Sequence, residues 1–539
     1  MKVMNFLTHR RRDAEAQRPC LSPGPRHPLP PGGGRGEGVW RGHGVEASSH
    51  ADCLPERPHP SPPPVGEGVT WRWRGAVASL LFFMAAGCAV HRGAMIEPIA
   101  PLPGAFGEAR GGAEAGAPGG RWWEVFADPR LDALLAEAFG HNLDLAQGVA
   151  RLEAAQAAAR AGEAALFPTL DLRGSTSRKS APGFLGTDTG NGYSMSAAAG
   201  YEVDLWRRVR SGRDAARLAA QASAEDLHTL YLALSAQVAD LYYLAAEQRA
   251  QFALTDRTIA AFADAAARVE ERYRHGLVPA LDLYQARQNV AAAQARRPPI
   301  AATLNRAEHA LAVLLGRYPG ATAGGALAAL PPVPEQFPTG LPATLLTRRP
   351  DLRAALRRVE ASDAQVAVAV ANRFPALNLL ANYGRSSTAF SAGAITGTFW
   401  NVGADLLAPI VDGGRRRAEV KRSEAELRAS LAGYQQAVLR AFQEVEDALS
   451  DNRATEEEIA RLAESVAATA ATLENAWDRY LQGLAEFLPV LTAQQALFDA
   501  ESRLLAARRS LLSHRITLAR ALGGDWMAEA ALQRLAKQD

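Results

Sequence analysis

The stretch that decides the fold runs from Asn142-Leu143-Asp144-Leu145 to Phe167-Pro168, and it recurs from Arg349-Pro350-Asp351-Leu352 to Phe374-Pro375. The two copies are 207 positions apart. The same offset relates further pairs, among them Arg151 and Arg358, Arg208 and Arg415, Gly276 and Gly483, and Gly316 and Gly523. No gap interrupts this register. We therefore expect two halves with the same elements in the same order and of equal length.

Each copy begins with an alanine-rich helical pattern that ends at a proline, because proline stops a helix at Pro168 and Pro375. Beyond the proline, apolar and polar residues alternate, from Leu170 to Leu205 in the first half and from Leu377 to Ala408 in the second. Alternation over about ten residues matches the 9–11 residues that a membrane-spanning strand needs. We predict two such strands in each half.

Two very long helical stretches follow the strands. Residues 213–275 and 434–482 contain neither glycine nor proline. A straight helix over the first stretch would be about 90 Å long. We therefore predict that each stretch folds into two antiparallel helices, with polar turns near 247–249 and 451–455. Final helices are predicted at about 281–315 and 487–522.

Composition excludes several classes of protein. The 539 residues contain 59 Lys+Arg and 57 Asp+Glu, which argues against the basic stripe of a nucleic-acid-binding protein. Three cysteines exclude a disulfide scaffold and a CxxC motif. The chain has no HExxH pair, no GxSxG elbow and no GxxxxGK loop. We predict no enzymatic activity, no metal site and no cofactor.

The N-terminal region contains a predicted targeting signal. Residues 1–70 are rich in Pro and Gly, and we interpret them as disordered or as an extension upstream of the true start. Residues 71–87 pair two arginines with a short apolar run, which is typical of a secretory signal. The run is too short for a retained spanning helix, the alternative. Ala85-Ala86-Gly87-Cys88 resembles a bacterial lipobox, which implies an acyl lipid on Cys88.

Four strands cannot close on themselves in a membrane. An open sheet edge in lipid leaves backbone groups unpaired at several kcal/mol each, and the smallest membrane barrels have about eight strands. We therefore expect the chain to oligomerise, and three copies would supply twelve strands. Alanine-rich helices gain stability mainly by close packing against neighbours, which favours a tube of helices.

Several motifs together resemble the outer-membrane efflux protein (TolC-like) family, and within it the NodT-type lipoprotein branch paired with resistance-nodulation-division pumps. They are Trp122-Trp123-Glu124-Val125-Phe126, Tyr201-Glu202-Val203-Asp204-Leu205-Trp206, Arg348-Arg349-Pro350-Asp351-Leu352, Pro409-Ile410-Val411-Asp412-Gly413-Gly414-Arg415 and Ala521-Leu522-Gly523-Gly524-Asp525-Trp526. One departure is Arg207, where the family usually has Gly.

The resemblance implies a mainly α fold with membrane β: a homotrimeric 12-stranded barrel in the outer membrane, continued by a long periplasmic α-helical barrel. It implies an exit duct for small toxic compounds, working with a periplasmic adaptor and an inner-membrane resistance-nodulation-division transporter. The alternatives are the duct of a type-one protein secretion system and a periplasmic helical scaffold. The predicted divisions are an anchor and equatorial segment at 88–127, repeats at 128–318 and 342–525, a linker at 319–341 and a tail at 526–539.

The resemblance also implies a gate at the periplasmic tip and a docking edge for the adaptor. The charged residues of the second predicted turn are the candidates for the gate: Asp447, Asp451, Arg453, Glu457 and Arg461. The alternative for this cluster is a solvated helix end. The docking edge is predicted at Val238, Asp240, Tyr242, Val445 and Leu449. Packing between helices is the alternative for the apolar members.

Overall fold

A computed structural model of the chain contains long helices and one four-stranded antiparallel sheet. It describes residues 91, 93, 103–108, 120–183, 186–320, 330–390 and 393–524. The predictions for residues 1–70, the signal at 71–87, Cys88 and the tail at 526–539 lie outside these residues.

The predicted repeat is confirmed for the four strands and for the long helices, whereas the first helix of each half differs in length. The first half contains α1 (Pro129–His141), α2 (Leu143–Ala164), β1 (Thr169–Gly183), β2 (Gly186–Val203), α3 (Arg208–Arg274) and α4 (Ala280–Leu314). The second half contains α5 (Leu345–Arg348), α6 (Pro350–Ala371), β3 (Ala376–Phe390), β4 (Gly393–Leu407), α7 (Arg415–Leu481) and α8 (Leu488–Leu522). Helices α2 and α6 have 22 residues each, α3 and α7 have 67, and α4 and α8 have 35.

The predicted polar turns near 247–249 and 451–455 are wrong. Helices α3 and α7 run through both segments without interruption, and each is about 100 Å long. The chain reverses later, at Gly276 and Gly483, which have φ of 70° and 75°. A long helix is stable here because its neighbours support it laterally: α4 packs along α3, and α8 packs along α7.

The sheet and the helices form one continuous wall. The strand order is β1-β2-β3-β4. The helices that adjoin these strands pack in the corresponding order, with α2 against α3, α3 against α6, and α6 against α7. Each strand is therefore extended by its own helix. Within the described part of the chain, the outer edges of β1 and β4 pair with no strand.

The main core lies halfway along the long helices. It joins the middle of α3 and α7 to the C-terminal ends of α4 and α8 and to a short 3-10 helix at Trp122–Phe126. The Trp122 indole donates a hydrogen bond to the buried Ser235 hydroxyl at 3.0 Å. We call this region the equatorial core.

Equivalent residues of the two repeats make different polar contacts at this core. Asn142 caps α2, and its side-chain amide donates to the Leu314 carbonyl at 3.0 Å. Its counterpart Arg349 donates to the Ala521 carbonyl at 3.2 Å and to the Glu444 carboxylate at 2.7 Å. Burial opposes the charge of Arg349, but its acidic neighbours outweigh that effect and raise its pKa.

Two glycines fit tightly against the same region. Gly316 and Gly523 adopt φ of 73° and 74°. A Cβ on Gly316 would lie 2.6 Å from the His141 carbonyl oxygen, and one on Gly523 would lie 2.8 Å from that of Arg348. Both contacts repeat at the 207-residue offset. Glycine is therefore required here by backbone conformation and by space.

We expect Gly316→Ala and Gly523→Ala each to lower the free energy of unfolding by about 3 kcal/mol, because left-handed strain adds to a backbone collision. Gly276→Ala and Gly483→Ala are matched controls, with positive φ but nothing within 4 Å of the new Cβ. These control substitutions should lower the free energy of unfolding by about 1 kcal/mol. Thermal unfolding at equal protein concentration measures the difference, and equal losses at all four positions would contradict this account.

Candidate channel wall and helical tips

One face of the sheet is apolar. The register places Leu172 opposite Ala197, Leu377 opposite Leu406 and Tyr383 opposite Trp400. Since side chains alternate between faces along a strand, these residues share one side. From Leu377 to Tyr383 this face extends about 20 Å along the strand. Tyr193, Tyr383 and Trp400 lie towards its far end, as the aromatic girdle of a membrane strand does.

The opposite face is polar. Ser175 and Ser194 lie opposite each other with hydroxyl oxygens 2.8 Å apart. Further along, Asn382 pairs with Asn401, and Asn378 pairs with Asp405. Such a sheet fits a wall with lipid on its apolar side and an aqueous lumen on its polar side. The alternation predicted from the sequence is thus confirmed, with the strands paired in register.

Two further properties of the described residues bear on the site. None of their helices combines the length and the hydrophobicity that a bilayer crossing requires. In the same residues, no three His, Cys, Asp or Glu side chains lie close enough together to hold a metal ion.

The true tip of the helical region lies where α3 turns into α4 and α7 turns into α8. A small core there joins both hairpins and includes Val269, Tyr480 and Phe487. Arg272 bridges the hairpins: its guanidinium lies 5.0 Å from the Tyr480 ring and donates to the Leu481 carbonyl at 3.1 Å.

A carboxylate pair lies beside this core. Burial, together with the negative charge of Glu486, raises the pKa of Asp282. Burial also raises the pKa of Tyr480, and Asp282 adds to that effect. The tip therefore combines an arginine that bridges the two hairpins with acidic groups that repel each other.

The exposed ends of the two hairpins carry equivalent leucines. Leu277 and Leu484 are each 65% exposed, and Leu281 and Leu488 are also exposed. Each pair obeys the 207-residue offset. Large apolar side chains at the same exposed place in both repeats indicate a contact surface.

The predicted gate residues do not lie at this tip. Asp451 is 30 residues before the end of α7, or about 45 Å along the helix. Arg453 pairs with Glu108 at 2.5 Å, and Arg461 pairs with Glu464 on its own helix. Asp447 accepts a hydrogen bond from Gln443, and Glu457 is exposed. Their predicted placement at the tip is wrong, because the turn on which it depended is absent.

The predicted docking edge lies in the equatorial core. Val238, Tyr242, Val445 and Leu449 are buried there. Asp240 accepts hydrogen bonds from Arg509 at 2.8 Å and Ser513 at 2.6 Å, both on α8. These five residues pack helices together, so their placement at an exposed edge is wrong. The repeated leucines at the tips were missed, although Gly276, Pro279 and Gly483 mark those turns in the sequence.

Comparison with known proteins gives the same architecture. The family model "Outer membrane efflux protein" matches residues 134–317 and 341–524. The pyoverdine export outer membrane protein OpmQ of Pseudomonas putida is 32% identical over 426 residues, which cover 77% of this chain and 90% of that protein. The solvent efflux pump outer membrane protein SrpC of Pseudomonas putida is 31% identical over 413 residues, covering 75% and 87%.

Solved structures agree with this match. The outer-membrane channel OprN superposes with a TM-score of 0.74 at 28% identity, covering 81% of this chain and 99% of that one. The outer membrane protein VceC of Vibrio cholerae gives a TM-score of 0.68 at 25% identity, covering 75% and 98%.

The two-faced sheet and its helical extension define an outer-membrane channel of the trimeric TolC-like type, as predicted. The chain belongs to the outer membrane efflux protein family. It is the outer-membrane exit duct of an efflux pump, and its predicted localisation in the outer membrane is confirmed.

Proposed function

We propose that three copies form one lipid-anchored duct, which carries small toxic organic compounds outwards without any catalytic step. The observation that carries this proposal is the strand-by-strand continuity of the wall, with β1 and β4 left open at its edges. In lipid those edges require partner strands, and pairing β4 with β1 of the next copy closes twelve strands. Relatives named for pyoverdine export, solvent efflux and toluene efflux support small organic cargo over polypeptides.

The proposed partners are a periplasmic adaptor and an inner-membrane resistance-nodulation-division transporter. The adaptor would dock on the leucines at the tips, Leu277 and Leu281 on one hairpin and Leu484 and Leu488 on the other. In a trimer these positions form a ring of six equivalent apolar patches. Burial of these leucines against the adaptor would remove apolar surface from water, which favours association.

We expect Leu277→Asp/Leu484→Asp to abolish efflux, because the charged side chains would have to be desolvated against the adaptor. Toluene tolerance of cells that lack their own duct, complemented with each variant, measures efflux. The matched control, Leu277→Met/Leu484→Met, should retain tolerance. Unheated gels must show the trimer for both variants. Full tolerance with the aspartate variant would refute docking at these leucines.

The gate is proposed at the same tips, in place of the mid-helix residues. Closing the duct requires the hairpins of one protomer to be held together, and Arg272 bridges them through Tyr480 and Leu481. The repulsion between Asp282 and Glu486 opposes this closure. The balance of these contacts would set the resting state of the duct.

We expect Arg272→Ala to raise single-channel conductance in planar bilayers, because it removes the bridge between hairpins. Arg274→Ala removes an equal charge from the same helix turn, where Arg274 pairs with Glu270 of α3 at 2.6 Å. This control should conduct as the unmodified protein does. Equal conductance of the two variants would exclude Arg272 from the gate.

The lipid anchor on Cys88 is supported by the position of the chain just after it. His91 pairs with Asp363 of α6 at 2.9 Å between Nε2 and Oδ1. Asp363 is eight residues before the end of α6, about 12 Å along the helix, and β3 begins shortly afterwards. His91 follows Cys88 by three positions, and three residues reach at most about 10 Å. An acyl group there would be close to the lower rim of the sheet.

We expect radioactive palmitate to label the unmodified protein in growing cells and to leave Cys88→Ser unlabelled, because only a thiol forms the thioether that anchors the lipid. Cys20→Ser and Cys53→Ser serve as controls and should retain the label. Labelling of Cys88→Ser would place the lipid elsewhere.

A further inference from the structure

A group of cations lies directly below the apolar face of the sheet. Arg207 follows the end of β2 by four residues, and Arg373 precedes β3 by three. Arg210, Arg417 and Lys421 lie within the first two turns of α3 and α7. We call these five residues the basic collar; all are exposed in the protomer.

The charge of the collar is largely uncompensated. Among the residues that the structure describes, Arg207, Arg373, Arg417 and Lys421 have no acidic partner within 4 Å. The Asp204 carboxylate accepts a hydrogen bond from the Arg210 backbone N–H and lies 3.8 Å from the Arg210 guanidinium. Neither α3 nor α7 has an acidic residue in its first turn. Cations are disfavoured at helix N-termini, so helix stability does not account for this clustering.

The helix geometry directs part of the collar towards the lipid side. The Arg208 guanidinium donates to Glu202, whose position on β2 belongs to the polar, lumen-facing side of the sheet. Arg210 is two residues further on, or about 200° round the helix, and so lies on the opposite side. Arg417 occupies the equivalent position of the second repeat.

Arg207 adopts a conformation that disfavours an arginine. Its φ and ψ are 61° and 22°, in the left-handed region, whereas the equivalent position of the second repeat is Gly414 with φ of 86°. Glycine would adopt this turn without strain. An arginine at a strained position points to a use for its side chain.

Apolar side chains accompany the cations. Ile410 and Val411, in the loop between β4 and α7, are 87% and 90% exposed. A cationic belt beside exposed apolar residues, continuous with a lipid-facing sheet, matches the boundary between acyl chains and headgroups. Guanidinium groups bind phosphate through paired hydrogen bonds.

We propose that the basic collar binds the phosphates of anionic phospholipids in the periplasmic leaflet of the outer membrane. The lipid would fix the depth at which the sheet passes into the helices. This inference depends on the membrane insertion of the sheet, and it is independent of the proposed adaptor, gate and cargo. A test on the isolated trimer therefore fails or succeeds separately from the proposed function.

Native mass spectrometry of the detergent-solubilised, full-length trimer tests the proposal, with dioctanoyl phosphatidylglycerol as the probe and dioctanoyl phosphatidylcholine as its neutral match. The unmodified trimer should prefer the anionic lipid by about tenfold or more, and salt should reduce that preference. The variant Arg210→Gln/Arg417→Gln/Lys421→Gln should lose it. Arg461→Gln/Arg479→Gln/Arg503→Gln removes the same charge from exposed positions remote from the sheet and should keep it.

Substitution of Arg207 provides a second test, in which thermal stability and lipid preference change in opposite directions. Arg207→Gly should raise the melting temperature, because it relieves left-handed strain, and should lower the preference for the anionic lipid by about threefold. Arg207→Lys should keep most of the preference. Equal binding of both lipids by the unmodified trimer would overturn the proposal. So would equal effects of the two triple variants, an unchanged preference in Arg207→Gly, or dissociation of the collar variant into monomers, which would make the collar a subunit contact.

Discussion

The structure depends on a sheet that is incomplete in a single chain. Within the described residues, the outer edges of β1 and β4 pair with no strand, and a membrane offers no water to satisfy their backbone groups. The chain meets this constraint with a sheet of two chemically different faces and with helices that continue every strand. Since the helices α2, α3, α6 and α7 pack in the order of the strands, closure of the sheet between copies also aligns the helical wall.

The internal repeat supplies the geometry, and local chemistry then differentiates the two halves. The four longest helices agree in length with their counterparts, as do α2 with α6 and β1 with β3, and the tight glycine contacts at Gly316 and Gly523 recur at equivalent places. The polar links differ, because Asn142 makes a neutral contact where Arg349 forms an ion-paired network. The strand-to-helix joint differs as well, with Arg207 in one half and Gly414 in the other. Similar backbones with different side chains therefore distinguish the two halves of one protomer.

The middle and the tip of the helical region differ in their cores. The equatorial core, where the N-terminal segment and the ends of α4 and α8 meet α3 and α7, contains most of the large buried side chains. The tip contains a much smaller core, an arginine bridge and repelling carboxylates. Local stability follows buried apolar contacts, so the tip is the end at which motion requires the least free energy.

Sequence alone determined the repeat, the four strands with their two faces and the class of protein, because alternation, proline stops and a constant offset are local signals. Which residues form the tip and which form the equatorial core was decided by tertiary structure. Charged residues such as Asp451 and Arg453 suggested a turn, but lateral packing keeps α7 helical through them. Val238 and Leu449 were compatible with an exposed edge until the fold buried them against other helices. Burial is a property of partners distant in the chain, so no local pattern could decide it.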